Sequence, residues 1–67
     1  MENLTLEELK EWKMAINSLI AQRITYSISV KEGSEREANN DKYLKLDYQL
    51  LEKVIKEINI KKAEQEW

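Results

Sequence analysis

The sequence contains no histidine and no cysteine, and this limits the chemistry open to its other polar residues. Histidine is the usual general base at neutral pH and a frequent metal ligand, and cysteine supplies thiolates. No histidine or other suitable base is available to activate the serines at positions 18, 27, 29 and 34, and the polar neighbours of Lys13 and Lys45 do not offer the burial that a Schiff-base lysine needs. We expect a protein that is not an enzyme and that binds no cofactor.

The strongest candidate for a metal-binding site in the sequence is an acidic cluster that consists of Glu7, Glu8 and Glu11. Calcium and magnesium require oxygen ligands that converge on one point, whereas side chains at this spacing fan around a helix. Carboxylates are also favoured near the positive end of a helix dipole, whether or not a metal is present. We therefore predict a helix start here and no metal site.

Two charged residues, Arg23 and Asp47, interrupt apolar patterns on opposite sides of the single glycine, Gly33. If the chain folds back at Gly33, they lie within about one helical turn of each other. The favoured interpretation is an ion pair that fixes the alignment of two helices. The alternative is that Arg23 reaches a carboxylate of a binding partner.

The charge balance and the hydropathy pattern exclude other classes of partner. Eleven basic residues against thirteen acidic ones give a net charge of −2, and the one basic cluster, Lys61-Lys62, lies among glutamates. Nucleic-acid binding, which requires a basic surface, is not expected. No apolar run exceeds three residues, so membrane insertion is not expected either. Without cysteine or a secretory signal, we expect an intracellular location.

A first helix is predicted from about residue 6. Thr5 and Glu8 have the spacing of a capping box, in which each side chain binds the other residue's backbone N–H. Apolar residues then recur at intervals of three and four, which is typical of one helical face. The residues of this face are Leu9, Trp12, Ile16, Leu19 and Ile20.

The segment from residue 24 to residue 30 fits two structures. Strict alternation of apolar and polar residues is typical of a strand, but Ile16, Ile20, Ile24 and Ile28 also continue the helical face. Residues 34–40 contain no β-branched or aromatic residue that could form a partner strand. We therefore favour helix over about 6–32 and a turn at 33–34, with a helix–short β-hairpin–helix α+β fold as the alternative.

A second helix is predicted from residue 35 or residue 41 to residue 65. The earlier start rests on a second capping-box spacing, from Ser34 to Glu37, and the later one on the cap-forming Asn39 and Asn40. Apolar residues then repeat at 4-3-4-3 spacing, and Leu50 and Val54 widen the stripe. The repeat consists of Leu44, Tyr48, Leu51, Ile55 and Ile58.

Together these elements predict one domain over residues 1–67, an all-α antiparallel helical hairpin in which residue i lies opposite residue 67 − i. The predicted core consists of Leu9, Trp12, Ile16, Leu19, Tyr48, Leu51, Ile55 and Ile58. Some apolar residues find no apolar counterpart across the hairpin or lie at its ends. These predicted oligomer or partner contacts are Ile24, Ile28, Val30 and Trp67.

Self-association follows from the size of the chain. A chain of 67 residues buries only about 60 % of its unfolded surface, and this one has no disulfide or metal to compensate. We expect a homodimer or higher oligomer of helical hairpins that forms a helical bundle. Its expected function is binding another protein, as a small acidic adaptor or inhibitor.

The run from Ala15 to Ile28, followed by Lys31-Glu32-Gly33 and a helix from Tyr43 to Ile58, resembles the small head–tail joining proteins of tailed phages. The resemblance implies a helix, a short β-hairpin and a second helix, and a structural role in virion assembly inside an infected host. The sequence departs from that family at residues 34–40, which make a poor strand, and at its C-terminus, which is not basic.

Overall fold

The computed structural model describes residues 3–65, which form two α-helices, α1 (Leu6–Ser29) and α2 (Glu35–Gln65). The helices pack against each other along an elongated hairpin of 51 × 16 × 14 Å. The predicted all-α helical hairpin is confirmed, and residues 3–65 contain no strand of the alternative α+β fold. Neither helix has an apolar stretch long enough to cross a membrane within the described residues.

The capping box predicted at the start of α1 is present. Thr5 has an extended backbone, and its Oγ1 accepts a hydrogen bond from the Glu8 backbone N–H at 3.1 Å. The Glu8 carboxylate in turn accepts from the Thr5 N–H at 3.1 Å. Two backbone groups that a helix start leaves without partners are thereby satisfied.

The segment with the strand-like pattern is helical as far as Ser29. Three hydroxyl groups in it donate back to helix carbonyl oxygens: Thr25 to Ala21 at 3.0 Å, and Ser27 to Ile24 at 2.6 Å. The third, Ser29, donates to Tyr26 at 3.0 Å. Because these polar side chains find partners on the helix itself, alternation does not require a neighbouring strand.

Helix α1 ends three residues earlier than predicted, and the connection to α2 is correspondingly longer than the predicted turn at 33–34. Val30 adopts an extended backbone (φ −79°, ψ 148°), and its N–H donates to the Tyr26 carbonyl at 3.0 Å. A turn follows in which the Ser34 N–H donates to the Lys31 carbonyl at 3.2 Å. Gly33 has φ +76°, a conformation that other residues adopt at a cost, and so permits this turn.

Helix α2 begins at Glu35, which confirms the earlier of its two predicted starts. Ser34 Oγ accepts from the Glu37 N–H at 3.2 Å, and the Glu37 carboxylate accepts from the Gly33 N–H at 3.1 Å. The reciprocal bond therefore reaches one residue further back than in a standard capping box. It connects the helix start to the turn.

A small apolar core lies between the helices. Its buried side chains are Leu9, Ile16 and Ile20 from α1 and Val54 and Ile58 from α2. The burial predicted for Leu9, Ile16 and Ile58 is thus observed. Trp12 and Leu51, also predicted as core residues, are half-buried and pack against this cluster.

The prediction is wrong for three core residues, Leu19, Tyr48 and Ile55, which are 44 %, 46 % and 36 % exposed in the hairpin. On α2 the positions facing α1 include Asp47 and Val54, which directly precede the predicted core residues Tyr48 and Ile55. Spacings of 4-3-4-3 and 3-4-3-4 share Leu44, Leu51 and Ile58, so the periodicity alone fits both. We define the inner stripe of α2 as the set that faces α1: Asn40, Leu44, Asp47, Leu51, Val54, Ile58 and Lys61.

Candidate protein-binding surface

A polar cluster joins the two helices in the half of the hairpin nearest the turn. Arg23 Nε donates to Asp47 Oδ2 at 2.5 Å, and the side chains are 29 % and 16 % exposed. The predicted ion pair is therefore confirmed. The Arg23 guanidinium also lies over the Tyr43 ring, 5.2 Å from its centre, which is a favourable cation–π distance.

Asn40, the one buried polar residue among those described, completes this cluster. Its Nδ2 donates to the backbone carbonyl of Arg23 at 2.9 Å. The sequence predicts Asn40 only as a helix cap, although this residue lies four positions before Leu44 on the apolar repeat. Arg23 thus bonds to residues one heptad apart, Asn40 and Asp47, as expected if it lies opposite residue 44 in the predicted alignment.

Helix geometry divides the remaining surface into two broad faces, one on each side of the plane that contains both helix axes. On α1 the inner positions are 9, 16 and 23 together with 13, 20 and 27. Residues 12, 19 and 26, each one position before a residue of the second set, lie on one face. Residues 10, 17 and 24, each one position after a residue of the first set, lie on the other face. In an antiparallel pair the corresponding positions of α2 continue the same two faces.

We call the first face the tyrosine face. Two observations place residues of both helices on this face. Leu19 and Tyr26 of α1 line one groove together with Asn40 of α2, and the Arg23 side chain of α1 lies over the Tyr43 ring of α2. Leu19 and Tyr26 are 44 % and 42 % exposed, and Tyr43 is half exposed. The tyrosine face comprises Trp12, Leu19, Tyr26, Tyr43, Leu46 and Leu50.

We call the opposite face the isoleucine face; it comprises Met14, Ile24, Ile28, Tyr48 and Ile55. Of the predicted contact residues, Ile24 and Ile28 lie here and are 42 % and 82 % exposed. Val30 is half-buried in a groove at the turn that Tyr26 also lines. The fourth, Trp67, lies outside the described residues.

The acidic residues near the start of α1 form no cation site among residues 3–65, where no group of three or more potential metal ligands is found together. Glu8 is bonded to the Thr5 backbone instead. The described residues expose large apolar side chains on both broad faces of the hairpin. No protein-family model, curated protein or solved structure was found to match this chain.

Proposed function

We propose that this chain is a non-enzymatic protein-binding hairpin, an adaptor or inhibitor, that associates with copies of itself. The supporting observation is the amount of exposed apolar surface. Ten large hydrophobic side chains of the described residues are exposed, Met14 and Ile28 by 69 % and 82 %, against five that are buried in the core. Extended apolar patches of this kind mark interaction sites on small proteins.

The energetics support the same proposal. Each fully buried aliphatic side chain stabilises the fold by roughly 1.5–3 kcal/mol. Five such side chains offset only a small part of the conformational entropy that 67 residues lose on folding. A hairpin covers only one side of each helix. Burying one exposed face against another chain adds the missing apolar contacts, a common solution for domains of this size.

Sedimentation equilibrium between about 1 and 200 µM tests the self-association. We expect a mass that rises from 8.0 kDa towards a multiple of it, together with a melting temperature that rises with concentration. A folded 8.0 kDa species at every concentration, with an unchanged melting temperature, would contradict the proposal.

Binding of another protein is tested by affinity capture from the source cell. We propose Ile28, the most exposed apolar side chain described, as a contact for that partner. The Ile28→Asp variant is expected to keep its helix content and oligomer mass and to lose the captured protein. The matched control is Ser18→Asp, on an exposed position of the same helix. Equal capture by parent and variant would remove Ile28 from the contact.

A structural subunit of a phage connector is the second proposal. The observation that favours it is the presence of apolar side chains on both broad faces, since a ring subunit must contact two neighbours through different surfaces. A closed ring of many copies in the sedimentation experiment would support this role. A dimer as the largest species would exclude it.

A further inference from the structure

We propose that the tyrosine face binds the same face of a second copy, with the two hairpins antiparallel, so that each turn lies beside the ends of the other hairpin. This inference rests on the proposed self-association, for which it names the surface and the orientation. A face that binds itself about a two-fold axis gives a closed dimer.

The residue pattern beside the inner stripes favours the tyrosine face over the isoleucine face. A helix in a bundle needs apolar residues at a third position of each heptad, next to the two that face its hairpin partner. On the tyrosine face this position is apolar at residues 12, 19 and 26 of α1 and at residues 43 and 50 of α2, and the flanking positions of the α2 row, Arg36 and Glu57, are charged. On the isoleucine face the corresponding row is interrupted by Lys10, Asn17 and Asp41.

The area of the broad face is sufficient for a stable dimer interface. The broad side of the hairpin measures 51 by 16 Å, or about 800 Å². A standard stable interface buries about 800 Å² on each partner. One whole broad face is therefore large enough for a specific dimer, whereas the turn or the end of the hairpin alone is not.

The charges near the two ends of the hairpin set the orientation of the dimer. The groove at the turn end, beside Tyr26, is lined by the cations Lys31 and Arg36 and one carboxylate, Glu35. The groove at the far end of α2 is lined by two carboxylates, Glu57 and Glu64, and one cation, Lys61, beside the exposed Ile60. Antiparallel packing brings the basic groove to the acidic one, and parallel packing brings like charges together.

The geometry of α2 agrees with this orientation. Leu50 lies midway between Arg36 and Glu64, fourteen residues from each. A two-fold axis through Leu50, perpendicular to the helix, places Arg36 beside Glu64 of the second copy. At 1.5 Å per residue, these charged residues lie about 21 Å from the axis.

Two matched substitutions test which face is used. Leu19 and Ile24 are exposed to almost the same extent, 44 % and 42 %, but lie on opposite faces. Leu19→Glu places an uncompensated charge in the dimer twice, once from each copy, and is expected to raise the dimer Kd at least about 100-fold. Ile24→Glu is expected to change the dimer Kd less than about threefold. Circular dichroism of both variants checks that they remain helical.

Each outcome of the face test has a distinct meaning. Loss of the dimer in Ile24→Glu with retention in Leu19→Glu overturns the assignment of the tyrosine face but leaves the proposed self-association in place. Loss in both variants, or assemblies larger than a dimer in the parent, overturns the closed two-fold dimer. A parent that stays monomeric overturns this inference together with the self-association itself.

A single distance tests the orientation. The sequence has no cysteine, so Glu32→Cys in the exposed turn accepts one spin label per chain. Fifteen residues of α2 separate Glu35 from Leu50, so the antiparallel dimer places the two labels about 45 Å apart. A distance below about 25 Å would show parallel packing and overturn the orientation. Charge reversal is the second readout: Arg36→Glu and Glu64→Arg should each weaken the dimer, and the two together should restore it.

Discussion

The two halves of the hairpin use equivalent positions of the helical repeat for different purposes. In the half nearest the termini, Ile16 and Val54 are completely or almost completely buried and pack with other aliphatic side chains. In the half nearest the turn, Arg23 follows Ile16 by one heptad and Asp47 precedes Val54 by one heptad, and they form an ion pair.

The difference shows that stability and alignment come from separate parts of a small hairpin. Aliphatic contacts are non-directional, so an apolar repeat alone allows the helices to slide or rotate past each other. The ion pair and the bond from Asn40 to the Arg23 carbonyl have directions and lengths, and they fit one alignment. Substitutions in the two halves should therefore differ in kind as well as in size.

The largest effect is expected in the apolar half. Ile16→Ala removes a side chain that is 1 % exposed and should lower the free energy of unfolding by about 2–4 kcal/mol. Ile28→Ala makes the same chemical change at a position that is 82 % exposed and should cost less than about 0.5 kcal/mol. Urea unfolding followed by circular dichroism at one protein concentration measures both. Similar losses for the two variants would show that Ile28 is covered in the assembly.

The ion pair gives the next largest effect. Asp47→Leu leaves the Arg23 guanidinium partly buried without its carboxylate and should cost about 1–3 kcal/mol. Replacing both residues, with Arg23→Met added, should recover most of that loss, because no charge is then left unpaired. A double-mutant cycle in urea measures the coupling. Strictly additive effects would mean that the pair contributes nothing to stability.

The turn should respond through its backbone alone. A Cβ added at Gly33 would meet no atom within 4 Å, so Gly33→Ala tests only the positive φ and should cost about 1 kcal/mol. Gly33→Asn, which tolerates this conformation better, is the matched control and should cost clearly less. Thermal unfolding distinguishes the two, and equal melting temperatures would indicate that the turn changes shape.

Asn40→Leu should change the free energy of unfolding by less than about 1 kcal/mol in either direction, because added apolar burial offsets the lost hydrogen bond to Arg23. The main expected effect is that the two helices no longer adopt a single alignment. An amide ¹H–¹⁵N spectrum should then show broadened or duplicated peaks from the half of the hairpin nearest the turn. Asn39→Leu, at an exposed neighbour, is the control. A single sharp set of peaks from Asn40→Leu would show that the ion pair alone fixes the alignment.

The sequence by itself determined the fold. The capping-box spacings at Thr5 and Ser34, the 3–4 periodicity and the lone glycine are local signals that predict two helices and a reversal, and local hydrogen bonds explain why they suffice. The sequence also predicted the Arg23–Asp47 ion pair. The two residues carry opposite charges, interrupt the apolar stripes of the two helices, and lie at nearly the same level of the predicted hairpin. The burial of Leu9, Ile16 and Ile58 followed from the same periodicity.

Only the tertiary structure decided how α2 is rotated about its axis. The apolar residues of α2 are spread over more than half of its circumference, so stripes through Asp47 and Val54 or through Tyr48 and Ile55 have equally regular spacing. The stripe through Asp47 is the one that brings it to Arg23 and buries Asn40 against the Arg23 carbonyl. The ion pair joins two residues that are 24 positions apart along the chain, and the Asn40 hydrogen bond joins two that are 17 positions apart. A local pattern cannot rank such alternatives, because the energy that separates them arises only when the other helix is in place.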